Sequence, residues 1–154
     1  EDFSKGNTFH RFLNDHADFK KYDLIKLKKD EKIKKVIICS GKVYFDLLEA
    51  REKIKNDEVF IIRLEQLYPF PVKGLARELK RFKGKAKFYW CQEEPQNMGA
   101  WNSVRNYIQW ALDYIKVTHR EVGYIGRKPA ASPATGHAKK HLAQQKEIIE
   151  KVLS

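Results

Sequence analysis

From about residue 35 onward the sequence alternates between short apolar runs and stretches whose apolar residues return every three or four positions. This alternation leaves the chain few possible architectures. Val36-Ile37-Ile38-Cys39, Val59-Phe60-Ile61-Ile62, Ala86-Lys87-Phe88-Tyr89-Trp90 and Glu121-Val122-Gly123-Tyr124-Ile125 read as strands. Between and after them, four stripes read as helices: Val43, Leu47, Ala50 and Ile54; Val72, Leu75, Ala76, Leu79 and Phe82; Trp101, Val104, Ile108, Ala111, Leu112 and Ile115; and Ala138, Leu142, Ile149 and Val152. Strands that alternate with helices build right-handed βαβ units. The predicted fold is therefore three-layer α/β, a mainly parallel sheet with helices on both faces. Tyr22-Asp23-Leu24-Ile25-Lys26-Leu27 is predicted to add an antiparallel edge strand, with Lys28 to Lys35 as its polar turn. Residues 1–34 form a lead-in segment, with Phe3, Phe9, Phe12 and Phe19 to pack against residues 35–154, the α/β domain.

The 154 residues suit one compact domain. With 42% hydrophobic and 33% charged residues, the composition is globular rather than disordered. No apolar run approaches the ~20 residues of a membrane span. The first residues lack the apolar stretch of a signal peptide and there is no initiator Met, so the chain is expected to be a piece of a longer protein. The net charge of +11 fits either a polyanionic partner or a lysine-rich solvated surface. Lysine is spread along the chain and no RNA-binding aromatic motif occurs, which favours the surface reading over specific nucleic-acid binding. Cys39 and Cys91 form no CxxC and each ends an apolar run, so buried free thiols are expected rather than a disulfide.

In open α/β sheets, ligands and partners gather at the carboxyl ends of the strands. Four motifs fall there. Cys39-Ser40-Gly41-Lys42 leads from a strand into a helix; Gly41 and Lys42 mark either a structural turn or an anion site. In Arg63-Leu64-Glu65-Gln66-Leu67-Tyr68-Pro69-Phe70-Pro71, Glu65 is placed to orient Arg63 or a neighbouring chain. In Gln92-Glu93-Glu94-Pro95-Gln96-Asn97-Met98-Gly99-Ala100-Trp101, adjacent acids point to opposite faces of a strand and form no catalytic dyad. One of them is expected to make a salt bridge and the other to cap the helix that follows. Gly126-Arg127-Lys128-Pro129, continuing to Thr135-Gly136-His137, offers Arg127 and Lys128 to an anion or forms a rigid loop capped by Thr135. His137 and His141 are four apart but have no third ligand, so they read as a surface pair. There is no GxSxG, GxGxxG or P-loop spacing. The residues by themselves describe an α/β module with partner-binding loops and no complete active site.

Five segments occur in one order: Cys39 to Tyr44, Arg63 to Pro71, Gln92 to Trp101, Ala131-Ser132-Pro133-Ala134-Thr135-Gly136, and His141-Leu142-Ala143-Gln144-Gln145. Together they resemble the C-terminal domain of the thiamin-dependent decarboxylase component of the 2-oxoglutarate dehydrogenase complex, over about residue 8 to the end. Met98, where the motif commonly has Gln, and the His-Ala-Lys-Lys that follows Gly136 are the departures. The resemblance implies a transketolase-like fold. It implies a parent enzyme of the tricarboxylic acid cycle that decarboxylates 2-oxoglutarate on thiamin diphosphate and Mg²⁺. That parent is a homodimer and passes the succinyl group to the lipoyl arm of the succinyltransferase component. It implies that this domain supports the dimer and the catalytic domains, binds no thiamin diphosphate itself and is inactive alone, in the cytoplasm of a bacterium or a mitochondrial matrix. A regulatory nucleotide- or acyl-CoA-binding module is the alternative. Tyr44, Phe45 and Trp110 lie off the apolar stripes of their helices, and with Glu65, Tyr68, Glu93, Glu94 and Trp101 they are the expected interface.

Overall fold

The computed structural model describes residues 10–18, 24–82, 84–132, 136 and 138–154. Five strands, β1 (Phe12–Leu13), β2 (Lys35–Ser40), β3 (Val59–Leu64), β4 (Lys87–Pro95) and β5 (Val122–Arg127), form one sheet in the order β1-β3-β2-β4-β5. β2 to β5 are mutually parallel, and β1 runs antiparallel to β3 at one edge. Four helices complete the domain: α1 (Val43–Ile54), α2 (Val72–Leu79), α3 (Trp101–Ile115) and α4 (Ala138–Leu153).

The period-two alternation of strand side chains divides the core into two layers. Val36, Ile38, Phe60, Ile62, Phe88 and Trp90 point to one face, where α2 and α3 cover them with Leu75, Leu79, Val104, Ile108 and Leu112. Ile37, Cys39, Val59, Ile61, Cys91 and Ile125 point to the other, where α1 and α4 bring Val43, Leu47, Ile148 and Val152. Every residue of β3 is buried, which explains the apolar run from Val59 to Ile62. Cys39 and Cys91 stand opposite each other across β2 and β4 as buried free thiols. α1 and α3 end on Lys55 and Lys116 in the left-handed conformation, each with φ of 53°, a role glycine more often takes.

The antiparallel edge strand is present at Phe12–Leu13. Leu24 to Leu27 carry no regular structure, and Tyr22 and Asp23 lie outside the described residues. The reason is hydrogen bonding to the end of α1 and the turn after it. Ile25 N–H donates to Glu52 and Lys28 N–H to the Asp57 carbonyl, which fastens this stretch alongside the end of α1 rather than into a ladder. The segment after β1 is anchored by Asp15, which is fully buried. Its carboxylate accepts hydrogen bonds from both terminal nitrogens of the equally buried Arg51 on α1 and from the Ile61 N–H of β3. Arg81 ties in the remainder, binding Asp18, Asp30 and Glu78 together.

Candidate functional site: a cleft at the carboxyl ends of the strands

The parallel strands β2 and β4 both deliver their chain ends to one rim of the sheet, and the chain turns into α1 and α3 there. Gly41 makes the first turn with φ of +74°, a conformation a side chain would strain. Gly99 makes the second, at +65°. Between them lies a cleft of about 750 Å³, floored by Trp90 and Gln92 and walled by Ser40, Leu67, Tyr68 and Tyr107. Its rim is apolar: Tyr68 is 89% exposed, and Leu67 and Tyr107 are also exposed. Phe70 stacks on Tyr107 at 5.1 Å with the rings 10° apart, joining the β3–α2 loop to α3.

Gln92 organises the floor. Its Oε1 accepts from the Trp90 indole N–H at 2.8 Å and from the Trp101 backbone N–H at 2.9 Å. Its Nε2 donates to the carbonyls of Pro95 and Met98 at 3.0 and 2.7 Å. One buried amide thus closes the β4–α3 turn and satisfies an otherwise free N–H at the start of α3. This corrects the expectation that Glu93 or Glu94 caps that helix: neither does, because Gln92 occupies the position first. Glu93 instead faces Lys42 at 3.8 Å, and Glu94 is exposed.

The charged groups at this rim are largely matched to one another. Lys42 hydrogen-bonds Asp46 at 2.7 Å as well as facing Glu93, and these carboxylates hold its ammonium above the usual lysine pKa. The Gly41–Lys42 turn is therefore an internally neutralised corner rather than an open cationic pocket. Arg63 is nearly buried, hydrogen-bonded through Nε to Glu65, with its guanidinium 5.0 Å from the Tyr44 ring centre and 4.9 Å from that of Phe45. Glu65 orients Arg63, as one of the two sequence readings had it. Arg127 ends β5, followed by Lys128, on the far side of β4 from Lys42, and Lys128 is exposed. The loop after them is pinned by Asn97, which exchanges two hydrogen bonds with the backbone of Ala130. Thr135 and His137 lie outside the described residues.

Two of the expected interface residues are interior. Tyr44 has no exposed surface: its hydroxyl accepts from the His16 N–H and its ring edge meets His16, so the lead-in covers it. Burial, aided by the nearby Asp15 charge, pushes its pKa up. Trp101 is 7% exposed and packs on Tyr124. Phe45 and Trp110 are about half exposed, at 50% and 49%. Tyr107, Leu67 and Tyr114 add exposed apolar surface that sequence reasoning did not single out. The signal was available for Tyr107, which precedes Trp110 by one helical turn.

Among the described residues no group of three His, Cys, Asp or Glu side chains could hold a metal ion, and no helix is long and apolar enough to cross a membrane.

The sequence model of the family "2-oxoglutarate dehydrogenase C-terminal" matches residues 1–153. The 2-oxoglutarate dehydrogenase E1 components of Brucella anthropi and Brucella ovis are each 52% identical to the chain over 152 residues, which is 99% of it. The chain spans only 15% of the length of those relatives. Among solved structures, a split-gene transketolase described as an inactive β4 tetramer aligns with a TM-score of 0.52 at 13% identity, over 84% of this chain and 43% of that one. At that identity the likeness concerns the fold, and it agrees with the three-layer, mainly parallel architecture. The chain belongs to the family of 2-oxoglutarate dehydrogenase C-terminal domains.

Proposed function

We propose that this chain is the assembly domain of a thiamin diphosphate-dependent 2-oxoglutarate dehydrogenase component. In this reading it packs on the catalytic domains and the second subunit of a homodimer. The longer enzyme decarboxylates 2-oxoglutarate in the tricarboxylic acid cycle, in the cytoplasm or a mitochondrial matrix, and passes the succinyl group to lipoyl groups of a succinyltransferase component. The chain itself supplies support rather than chemistry.

The observation that carries this reading is the strand-end cleft. Its apolar rim of Leu67, Tyr68 and Tyr107 is exposed, while the polar groups beneath it are engaged with one another. Large aromatics presented to solvent around a concave face suit a packing interface. The described residues do not fit thiamin diphosphate and its magnesium. A diphosphate-bound Mg²⁺ is held by one or two carboxylates together with the diphosphate oxygens, and at this rim Asp46 and Glu93 are turned to Lys42 and Glu65 to Arg63. No reaction step is assigned to these residues.

The test has two arms. The purified chain, supplied with 2-oxoglutarate, thiamin diphosphate, Mg²⁺ and ferricyanide, is expected to show no turnover; measurable turnover overturns the assembly role. In the longer enzyme, Tyr68→Asp is expected to weaken dimerisation by analytical ultracentrifugation and to lower activity in parallel. Activity and dimerisation both unchanged would show that the cleft is not a packing surface.

A further inference from the structure

A second surface lies on the outer face of α2 and α3, away from the strand ends. Trp110 and Tyr114, one turn apart on α3, stack with ring centres 5.2 Å apart and planes at 9°. They are 49% and 69% exposed. Together with Ala76 and Ile115 they border a groove of about 400 Å³. The opposite wall is a row of cations on α2 and its continuation: Lys73, Arg77 and Lys80. All three are exposed, and among the described residues none has a carboxylate partner. The nearest acids on these helices are otherwise engaged. Glu78 binds Arg81, and Asp113 accepts from the Gln109 amide.

We infer that this groove binds an acidic peptide segment that also carries an apolar side chain. The cations recur at i, i+4 and i+7, so they line one helix face over about 10 Å at 1.5 Å per residue. Such a row matches carboxylates distributed along a peptide. A nucleotide concentrates its charge at one point, where converging donors would be needed, whereas Lys73, Arg77 and Lys80 are spread along the helix. The stacked aromatic wall takes the apolar side chain. Ala76, 3% exposed, keeps the floor shallow. Trp, Tyr and Arg are the residues enriched at binding hot spots, and this groove presents Trp110, Tyr114 and Arg77 to solvent. The inference extends the docking role proposed above by naming a second face and the chemistry it recognises. Its test does not involve the strand-end cleft, so either can fail alone.

Trp90 and Trp101 are buried, so fluorescence quenching by acrylamide reads Trp110. The probe is a synthetic Trp-free peptide with Glu at i, i+4 and i+7 and with Leu and Phe on its other face. Controls are the same peptide with Lys for Glu, poly-glutamate, and ATP. The acidic amphipathic peptide is expected to shield Trp110 from acrylamide, with binding that weakens as salt is raised. The triple variant Lys73→Glu, Arg77→Glu, Lys80→Glu is expected to weaken binding about tenfold or more, from three exposed pairings lost. Trp110→Ala, followed by calorimetry, is expected to remove most of the remainder. These substitutions lie on the surface, and an unchanged circular dichroism spectrum reports that the fold is kept. The inference is overturned if the acidic peptide does not bind at millimolar concentration, if the Lys peptide binds equally well, if poly-glutamate matches the amphipathic peptide, or if ATP competes more strongly than the peptide.

Discussion

Replacing Asp15 by Ala removes the acceptor for the buried Arg51 guanidinium and the buried Ile61 N–H, and for the part-buried Ala17 N–H. The Asp15 and Arg51 side chains are both 0% exposed. The carboxylate serves Arg51 Nη1 and Nη2, the buried Ile61 N–H at 2.8 Å, and the Ala17 N–H at 3.0 Å. Removing one partner of a buried ion pair costs about 3–5 kcal/mol, because the other charge stays behind uncompensated. Arg51 keeps the Val59 carbonyl at 3.1 Å and Glu52 at 3.3 Å, which argues for the lower end, about 3 kcal/mol. Against a typical stability of about 5–15 kcal/mol, this is a large fraction. At roughly 2–4 °C per kcal/mol for a chain of this size, Tm falls by roughly 6–12 °C. Urea unfolding followed by far-UV circular dichroism measures it directly. The double replacement Asp15→Leu with Arg51→Leu removes both charges and leaves apolar volume, so it should be more stable than Asp15→Ala alone. A loss under about 1 kcal/mol for Asp15→Ala, or a double variant less stable than the single one, would refute the account of the pair as a buried latch on the lead-in.

Two other outcomes are expected. Gln92→Leu strands the buried Trp90 indole N–H, Trp101 N–H and Pro95 carbonyl, and at the lower end of about 1–3 kcal/mol per unsatisfied buried group it should lower stability by about 3 kcal/mol in urea titrations; a change below about 1 kcal/mol would mean the turn does not depend on this amide. Burial pushes the Cys91 thiol from its ordinary 9.0 up to about 12, with the Glu93 charge adding to it, and burial also pushes the Tyr124 hydroxyl from 10.0 to about 12. Both acids keep their protons in the folded chain over a range where the unfolded chain releases them. Their contribution is therefore complete below pH 9 and is lost progressively towards pH 12. Urea midpoints should fall between pH 9 and pH 11, and the native chain should react with a thiol-specific disulfide reagent only after unfolding; a flat profile or rapid native-state reaction would contradict it.

The fold was largely legible in the sequence, because the central parallel strands β2 and β3 are buried on both faces and so write themselves as continuous apolar runs. Val36 to Cys39 and Val59 to Ile62 fall inside β2 and β3, and the stripes from Val43 and Trp101 open α1 and α3. The family was legible as well, through motifs that cluster at strand ends, and the comparisons agree with it. The edge strand was not. Phe12–Leu13 is too short to show a period, while Tyr22 to Leu27 has a plausible one, and pairing with β3 depends on partners more than 40 residues away.

Side-chain roles at the rim divide along the same line. Periodicity shows that Tyr44 and Trp110 lie off the stripes of their helices, but not what covers them. Tyr44 is enclosed because His16 and the Asp15–Arg51 latch bring the lead-in across it, whereas Trp110 lies on the outer face and stays wet. Likewise, Gln92 caps α3 where two acids stood next in line, since its amide both accepts and donates and the turn presents N–H and carbonyl groups together. Local sequence determined which segments are strands and helices and which faces are apolar, because those depend on neighbours along the chain. Burial, pairing and capping depend on groups far apart in sequence, and only the tertiary structure decided them.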